Sequence, residues 1–185
     1  MFKLTQAITS FAEIDQIQLR EKNVFDNSIR NLTQKVHFEA ASRDGRADLY
    51  SLSTICAIRL VHKAAVFGLS RHVLEDFTHF LLSIPEGPGQ TDENGWKLSI
   101  ADEALKRALE GEEFTITLAM FPNGRIQRQA NWHIESTTDP DALDLIAAAN
   151  AGRSERPELI EDLVVTIPAS RLIQEVTVAL DGAAS

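Results

Sequence analysis

Seven polar side chains between positions 30 and 50 are the residues of this chain best suited to meeting a partner: Arg30, Asn31, Gln34, Lys35, Arg43, Arg46 and Tyr50. Asn31, Gln34 and Lys35 fall on the side of a short helical segment away from Ile29 and Leu32. Amides and a Lys in that position can pair with base edges or phosphates in a major groove. Arg30 suits phosphate binding or orientation of the same segment. Arg43 and Arg46 flank Asp44 and Gly45, a turn signal. Two arginines at a turn can straddle a nucleic-acid backbone or enter a minor groove, and the Tyr50 hydroxyl can donate to a phosphate. The plainer reading of these residues is a solvated polar face on an ordinary helical domain.

Other chemistries are weaker. His72, Asp76 and His79 stand at i, i+4 and i+7, which places three metal-ligand types on one helix face, but no fourth ligand has an obvious position. They read more simply as an exposed surface. The single Cys56 excludes an internal disulfide and sits in an apolar stretch, where a cysteine behaves as a small core residue. Trp96 and Trp132 suggest a small-ligand pocket, although a Trp on the apolar face of a hairpin is usually core. No Gly-rich phosphate loop, G-x-S-x-G or paired-carboxylate signature occurs. No enzyme, cofactor or metal site is expected.

The elements that position the seven residues follow from periodicity. Leu4, Ala7, Ile8 and Phe11, then Ile14 and Ile17, predict one or two short helices over Leu4 to Leu19. Asp26 is the candidate N-cap of the next helix, which should end near Val36. The polar stretch from Glu39 to Leu49 suits a small hairpin. Ser51 should cap a helix striped by Leu52, Ile55, Ile58, Val61 and Ala65 and stopped by Gly68, and Ser70 should cap another buried through Val73, Leu74, Phe77, Phe80 and Leu81.

Residues 83–96, rich in Pro, Gly and acid, read as a linker. Beyond it, Ser99 and Asp102 cap an amphipathic helix to Leu109, and Phe114 to Phe121 alternates as a strand. Pro122, Asn123 and Gly124 turn it into a return strand from Ile126 to Ile134, in which Arg128 interrupts the apolar face as an edge-exposed stem. A helix from Asp139 to Ala151, a strand over Leu163 to Ile167 and a closing helix from Pro168 to Leu180 complete an α-β-β-α-β-α series. The expected organisation is therefore α+β, with residues 1–82 as one domain, 83–96 as linker and 97–185 as a second domain.

The formal charge of −9 is unevenly spread: residues 1–82 balance at +1 and residues 83–185 at −10. The acidity that would repel phosphate thus belongs to the second half. No apolar run approaches the ~20 residues that span a bilayer, and the N-terminus lacks a secretory pattern. A cytoplasmic location away from any membrane is the expectation.

Residues 24–82 resemble the winged helix-turn-helix of the MerR family of bacterial transcription regulators. The segment from Asp26 through Ile29 and Arg30 is similar to that family's Thr-(Ile/Leu)-Arg start of the recognition helix. Ser42 to Arg46 resembles its Arg-rich wing, and Leu49, Tyr50 and Ser51 look like its Arg-x-Tyr step into a capped third helix. Ile58 to Val61 with Phe67, Gly68, Leu69 and Ser70 is similar to the passage between helices three and four. The chain departs from the pattern at Leu32, where an aromatic is usual, at Val36, where Gly ends the helix, and at Glu39 and Ala40, where Pro precedes the wing. Pro85, Gly87, Pro88 and Gly89 fall where the family's long dimerisation helix would begin. The resemblance implies a DNA-binding regulator of double-stranded DNA, acting as a homodimer. Its acidic second half would dimerise or take a small-molecule or protein effector. A protein-interaction adaptor that keeps the fold without specific DNA binding is the alternative.

Overall fold

The structure, a computed structural model, describes residues 1–85, 90–121, 125–136 and 163–183. The described chain is a mixture of helices and two antiparallel sheets. It divides into two compact units, Met1–Glu113 together with Ala169–Ser185, and Phe114–Pro168. The first holds β1 (Phe2–Lys3), α1 (Leu4–Ile14), α2 (Lys22–Lys35), β2 (Ser42–Asp44), β3 (Ala47–Tyr50), α3 (Leu52–Val66), α4 (Arg71–Leu82) and α5 (Ile100–Leu109). The second holds β4 (Ile116–Met120), β5 (Ile126–Ala130), β6 (His133–Ser136) and β7 (Leu163–Ile167). The chain then returns to the first unit with α6 (Ala169–Ala183).

The first unit is built around α3. Its expected single stripe is overturned: Ile55, Cys56, Ala57, Ile58, Leu60, Val61 and Ala64 are all buried, and so are Arg59 and His62. Every other helix of the unit packs against it. A helix is apolar all round only where neighbours cover every side, and here α5 and α6 close the side that α1, α2 and α4 leave open. The apolar faces of α5 (Ile100, Ala101, Ala104, Ala108) and α6 (Leu172, Ile173, Val176, Leu180) are buried. Gln174 Nε2 donates to the carbonyl of Ala108 at 3.1 Å, tying α6 to α5. Both helices were expected in a separate second domain. The expected linker also falls inside the first unit, where the Ile100 amide donates to the Ser83 carbonyl at 3.1 Å.

Caps behave as their chemistry dictates. Ser51 Oγ accepts from the Thr54 amide, Ser70 Oγ from Val73 and Ser99 Oγ from Asp102, each meeting an amide of the first turn that has no helical partner. Gly68 closes α3 at φ +78°. By contrast α2 begins four residues before Asp26, with Glu21 at its N-cap position. Phe25 extends the Ile29 and Leu32 stripe by one turn and draws that turn into the helix. Of the one or two short helices expected over Leu4 to Leu19, one forms, and a turn follows α1. The Gln16 amide donates to Glu13 and the Ile17 amide to Ala12, a Schellman closure with Gln16 left-handed at φ +53°.

β3 is the centre of a three-stranded sheet, pairing with β1 (Phe2 opposite Tyr50) and with β2 (Arg43 opposite Asp48). The β2–β3 loop is Gly45 and Arg46, with Gly45 at φ +61°. Open space surrounds Gly45, so backbone conformation alone selects glycine there.

In the second unit the strand order is β6-β5-β4-β7, antiparallel throughout. The expected return strand to Ile134 is instead two strands, with Ala130 opposite His133 across a turn at Asn131 and Trp132. β5 therefore has neighbours on both sides, and Arg128 is 2% exposed instead of lying along an edge. Trp132 packs edge-on against Phe114, with ring centroids 4.8 Å apart. The Pro122 to Gly124 turn and the helix expected from Asp139 to Ala151 lie outside the described residues.

Candidate nucleic-acid interface

The position of α2 is set by an ion cluster beneath the α1–α2 turn. Arg59, 1% exposed on α3, donates from Nη1 and Nη2 to the two carboxylate oxygens of Asp15 at 2.7 and 2.6 Å. Lys63 Nζ adds a third bond at 2.7 Å. The guanidinium lies over the Phe11 ring, 5.1 Å from its centroid. Burial alone would push the Asp15 carboxyl up, but the hydrogen bonds and charges of Arg59 and Lys63 outweigh it and hold the carboxyl down at about 2. Two planar groups meeting in a fork fix orientation as well as distance, so the turn that launches α2 is locked to α3.

On one flank of the helix thus placed, Arg30 and Gln34 are one turn apart and face the hairpin across a groove of about 430 Å³. Arg46 and Tyr50 line the other wall, with Lys3 of β1 and His37 at the rim. Arg46 and Gln34 are exposed, Arg30 is half-buried and Tyr50 is buried. Lys3 is 3.1 Å from the Asp44 carboxylate, and Arg43 Nε donates to Asp48 at 2.8 Å. Arg30 and Arg46 make no ion pair among the described residues. The groove therefore carries two uncommitted guanidinium groups, an amide and a phenol. Burial raises the Tyr50 hydroxyl, with the Asp48 charge adding to it, so the phenol stays a donor. Guanidinium forks and a phenol donor are suited to phosphate oxygens.

The seven expected residues are not brought to one place. Arg30, Gln34, Arg46 and Tyr50 share the groove. Asn31 and Lys35 lie on the opposite flank of α2, in a cleft with His62, Leu69 and Arg71. Arg43 sits on β2, bonded to Asp48. Three ionisable groove residues were not anticipated, one of them Asp48, which engages Arg43. Lys3 arrives through β1, a two-residue strand with no pattern of its own. His37 is held beyond the helix end at φ +57°.

The remaining candidates recede. His72 and His79 are exposed, and among the described residues no three His, Cys, Asp or Glu side chains are grouped to hold a metal. Cys56 is 1% exposed, and burial pushes its thiol up to about 12, so it is a core residue without nucleophilic character. Among the described residues no helix is long and apolar enough to cross a membrane.

No protein-family model matches the chain, and no curated protein matches it at a significant level.

Proposed function

We propose that β1 to α4 form a winged helix-turn-helix of the kind the sequence resembles, and that the chain is a DNA-binding transcriptional regulator acting as a homodimer. The observation that carries this reading is the groove between α2 and the β2–β3 hairpin, where unpaired Arg30 and Arg46 stand with Gln34 and Tyr50. In this reading α2 enters a major groove, with Gln34 and Asn31 towards base edges and Lys35 towards phosphate. The hairpin is the wing, and Arg30, Arg46 and Tyr50 hold the phosphate backbone. Arg43 contributes less, because Asp48 already engages it. One copy with so few free cations binds weakly, and a two-fold pair of copies places two such helices one DNA turn, ~34 Å, apart. The sheet unit is then left for self-association or for a small-molecule or protein effector.

Titration of a labelled 30-base-pair duplex by fluorescence anisotropy at low salt tests the reading. Arg30→Ala/Arg46→Ala should weaken binding by more than tenfold and lower the salt-dependence slope by about 2, one for each phosphate left without its arginine. An unchanged slope would remove the groove from the interface.

The second reading is an adaptor that keeps the fold without specific DNA binding. Its support is that Asp44 and Asp48 neutralise Lys3 and Arg43 within the hairpin region itself. Genome-wide DNA capture with the purified protein separates the two: enriched sites favour the regulator, and co-purifying proteins without sites favour the adaptor.

A further inference from the structure

On the flank of α2 away from the basic groove, the helix and the C-terminal end of α3 enclose an apolar channel. Two adjoining cavities, about 590 and 470 Å³, share Ser28, His62 and Val66 as lining residues. Ile17, Val24 and Phe25 line the first; Leu32, Leu69 and Leu74 line the second. Val24 and Val66 are 73% and 69% exposed at the opening. Leu19, between the lining residues Ile17 and Arg20, is 88% exposed, and Phe67, next to Val66, is 66% exposed. Single exposed apolar side chains are ordinary on a protein surface, but two at the mouth of one apolar concavity suit a docking partner.

His62 supplies an independent observation. It is 6% exposed, lines both cavities, and has an enclosed Nδ1 with no hydrogen-bond partner. Phe25 meets the ring edge-on at 5.3 Å. An enclosed N–H without an acceptor is the costlier orphan, so Nδ1 carries the lone pair and the proton sits on Nε2. The channel is thus a largely apolar surface with one imidazole, His62, in its wall.

The rim has a sign. Arg20, Lys63, Lys35 and Arg71 border the channel against the acids Asp15 and Glu21, and Glu75 pairs with Arg71 at 2.6 Å. Both acids are already engaged, Asp15 by Arg59 and Lys63 and Glu21 by Arg20 at 3.6 Å. Lys35 has no ion pair among the described residues. The positive surplus at the rim is thus Lys35 and the second cation on Asp15, on a chain whose formal charge is −9.

We propose that this channel docks an amphipathic helix of a partner protein, with an apolar i, i+3/i+4, i+7 stripe laid between α2 and α3 and carboxylates flanking it towards Lys35 and Lys63. Helix-in-groove recognition of this kind needs an apolar trough for anchors and a charged rim for register, and both are present. The apolar channel lies on the flank of α2 away from the Arg30 and Arg46 groove, and the inference shares only Asn31 and Lys35 with the DNA-binding reading.

The test uses the full chain and two labelled 14-residue synthetic helices with leucines at that spacing, one flanked by glutamates and one with glutamine in their place. In anisotropy titrations at low salt the glutamate helix should bind saturably, at least fivefold tighter than the glutamine helix. Val24→Ser/Val66→Ser should weaken it at least tenfold, with an unchanged melting temperature because both side chains are exposed. Absence of saturable binding would overturn the proposal, as would equal binding of the two peptides or binding that survives the double substitution. A dimer seen by sedimentation that Val24→Ser/Val66→Ser dissolves, and that the peptide fails to displace, would also overturn it by assigning the channel to a second copy of this chain.

Discussion

On one flank of α2, Arg30 and Gln34 look across a polar groove to Arg46 and Tyr50. On the other, Val24 and Leu32 look across an apolar channel to Val66 and Leu74. The same helix presents both because residues four apart stack on one side while their neighbours turn away. In the groove the free groups are cations, its lining carboxylate Asp48 being bonded to Arg43, and in the channel they are apolar side chains with the local acids already bonded. What a surface lacks defines its partner more sharply than what it displays. The groove lacks an anion for Arg30 and Arg46, since Asp48 is taken by Arg43, and the channel lacks an apolar cover.

Both flanks depend on the Asp15–Arg59 fork, so breaking it should produce the largest effect. Asp15→Ala leaves a guanidinium 1% exposed without its carboxylate. The expected loss is about 3–5 kcal/mol, a fall in melting temperature of roughly 10 °C, read by calorimetry. Removing both charges in Asp15→Leu/Arg59→Met should recover most of that, because an apolar pair of similar volume leaves no uncompensated charge. If the double variant is no better than the single, the cluster holds α2 by geometry that packing does not replace.

Next in size, the two hairpin arginines should separate. Arg46→Ala removes a free cation from the groove and should cost DNA affinity about tenfold. Arg43→Ala removes one already neutralised by Asp48, in an exposed pair worth ~0–1 kcal/mol, and should cost less than threefold. Equal losses in parallel titrations would mean that Asp48 releases Arg43 on binding and that the whole hairpin tip belongs to the interface.

How far this was legible in the sequence depended on how local each cause was. Caps at Ser51, Ser70 and Ser99, the stop at Gly68 and strand β7 follow from residues within four or five positions, and they stand where periodicity puts them. The partners of faces did not follow, since an apolar stripe tells that a side is covered and not by what. Hence α5 and α6 were expected in a separate unit, although they bury α3. Of the groove's lining, Arg30, Gln34, Arg46 and Tyr50 had been singled out from their types, but Lys3 enters from a strand near the start of the chain, paired to β3 only in the fold. Likewise Arg59 reads as a stray charge in an apolar helix until Asp15, 44 positions earlier, is brought against it.

The channel flank carries its own pH signature. Burial, reinforced by the charges of Arg59 and Lys63, lowers the His62 pKa from 6.5 to about 4, with Asp15 opposing. The unfolded chain therefore binds a proton between pH 6.5 and 4 that the folded chain does not, so stability falls as pH drops through that window. His62→Gln should remove about one proton of uptake on unfolding there, measured from the pH dependence of urea midpoints. Asp15 acts in a separate, lower window. Its folded pKa of about 2 lies below the 3.8 of the free group, so its contribution is complete above about pH 4 and is lost towards pH 2. A His62→Gln variant with the same slope as the parent would place the titrating group elsewhere and weaken the view of a neutral imidazole lining the channel.

The smallest effect concerns the turn from which both flanks begin. Gln16 holds φ +53°, the left-handed position of a Schellman closure whose two amide bonds, Gln16 to Glu13 and Ile17 to Ala12, measure 3.1 and 2.9 Å. That conformation costs a residue with a Cβ roughly 1 kcal/mol, and glycine adopts it freely. Against this, glycine frees the unfolded chain at a comparable entropic cost. Gln16→Gly should therefore stabilise by at most about 1 kcal/mol, seen as a melting temperature raised by ~2–4 °C. A destabilised variant would mean that the glutamine side chain, not the backbone closure, holds the turn. The Asp15 cluster would then share the anchoring of the turn with that side chain, and breaking the cluster alone would leave the groove and the channel partly held.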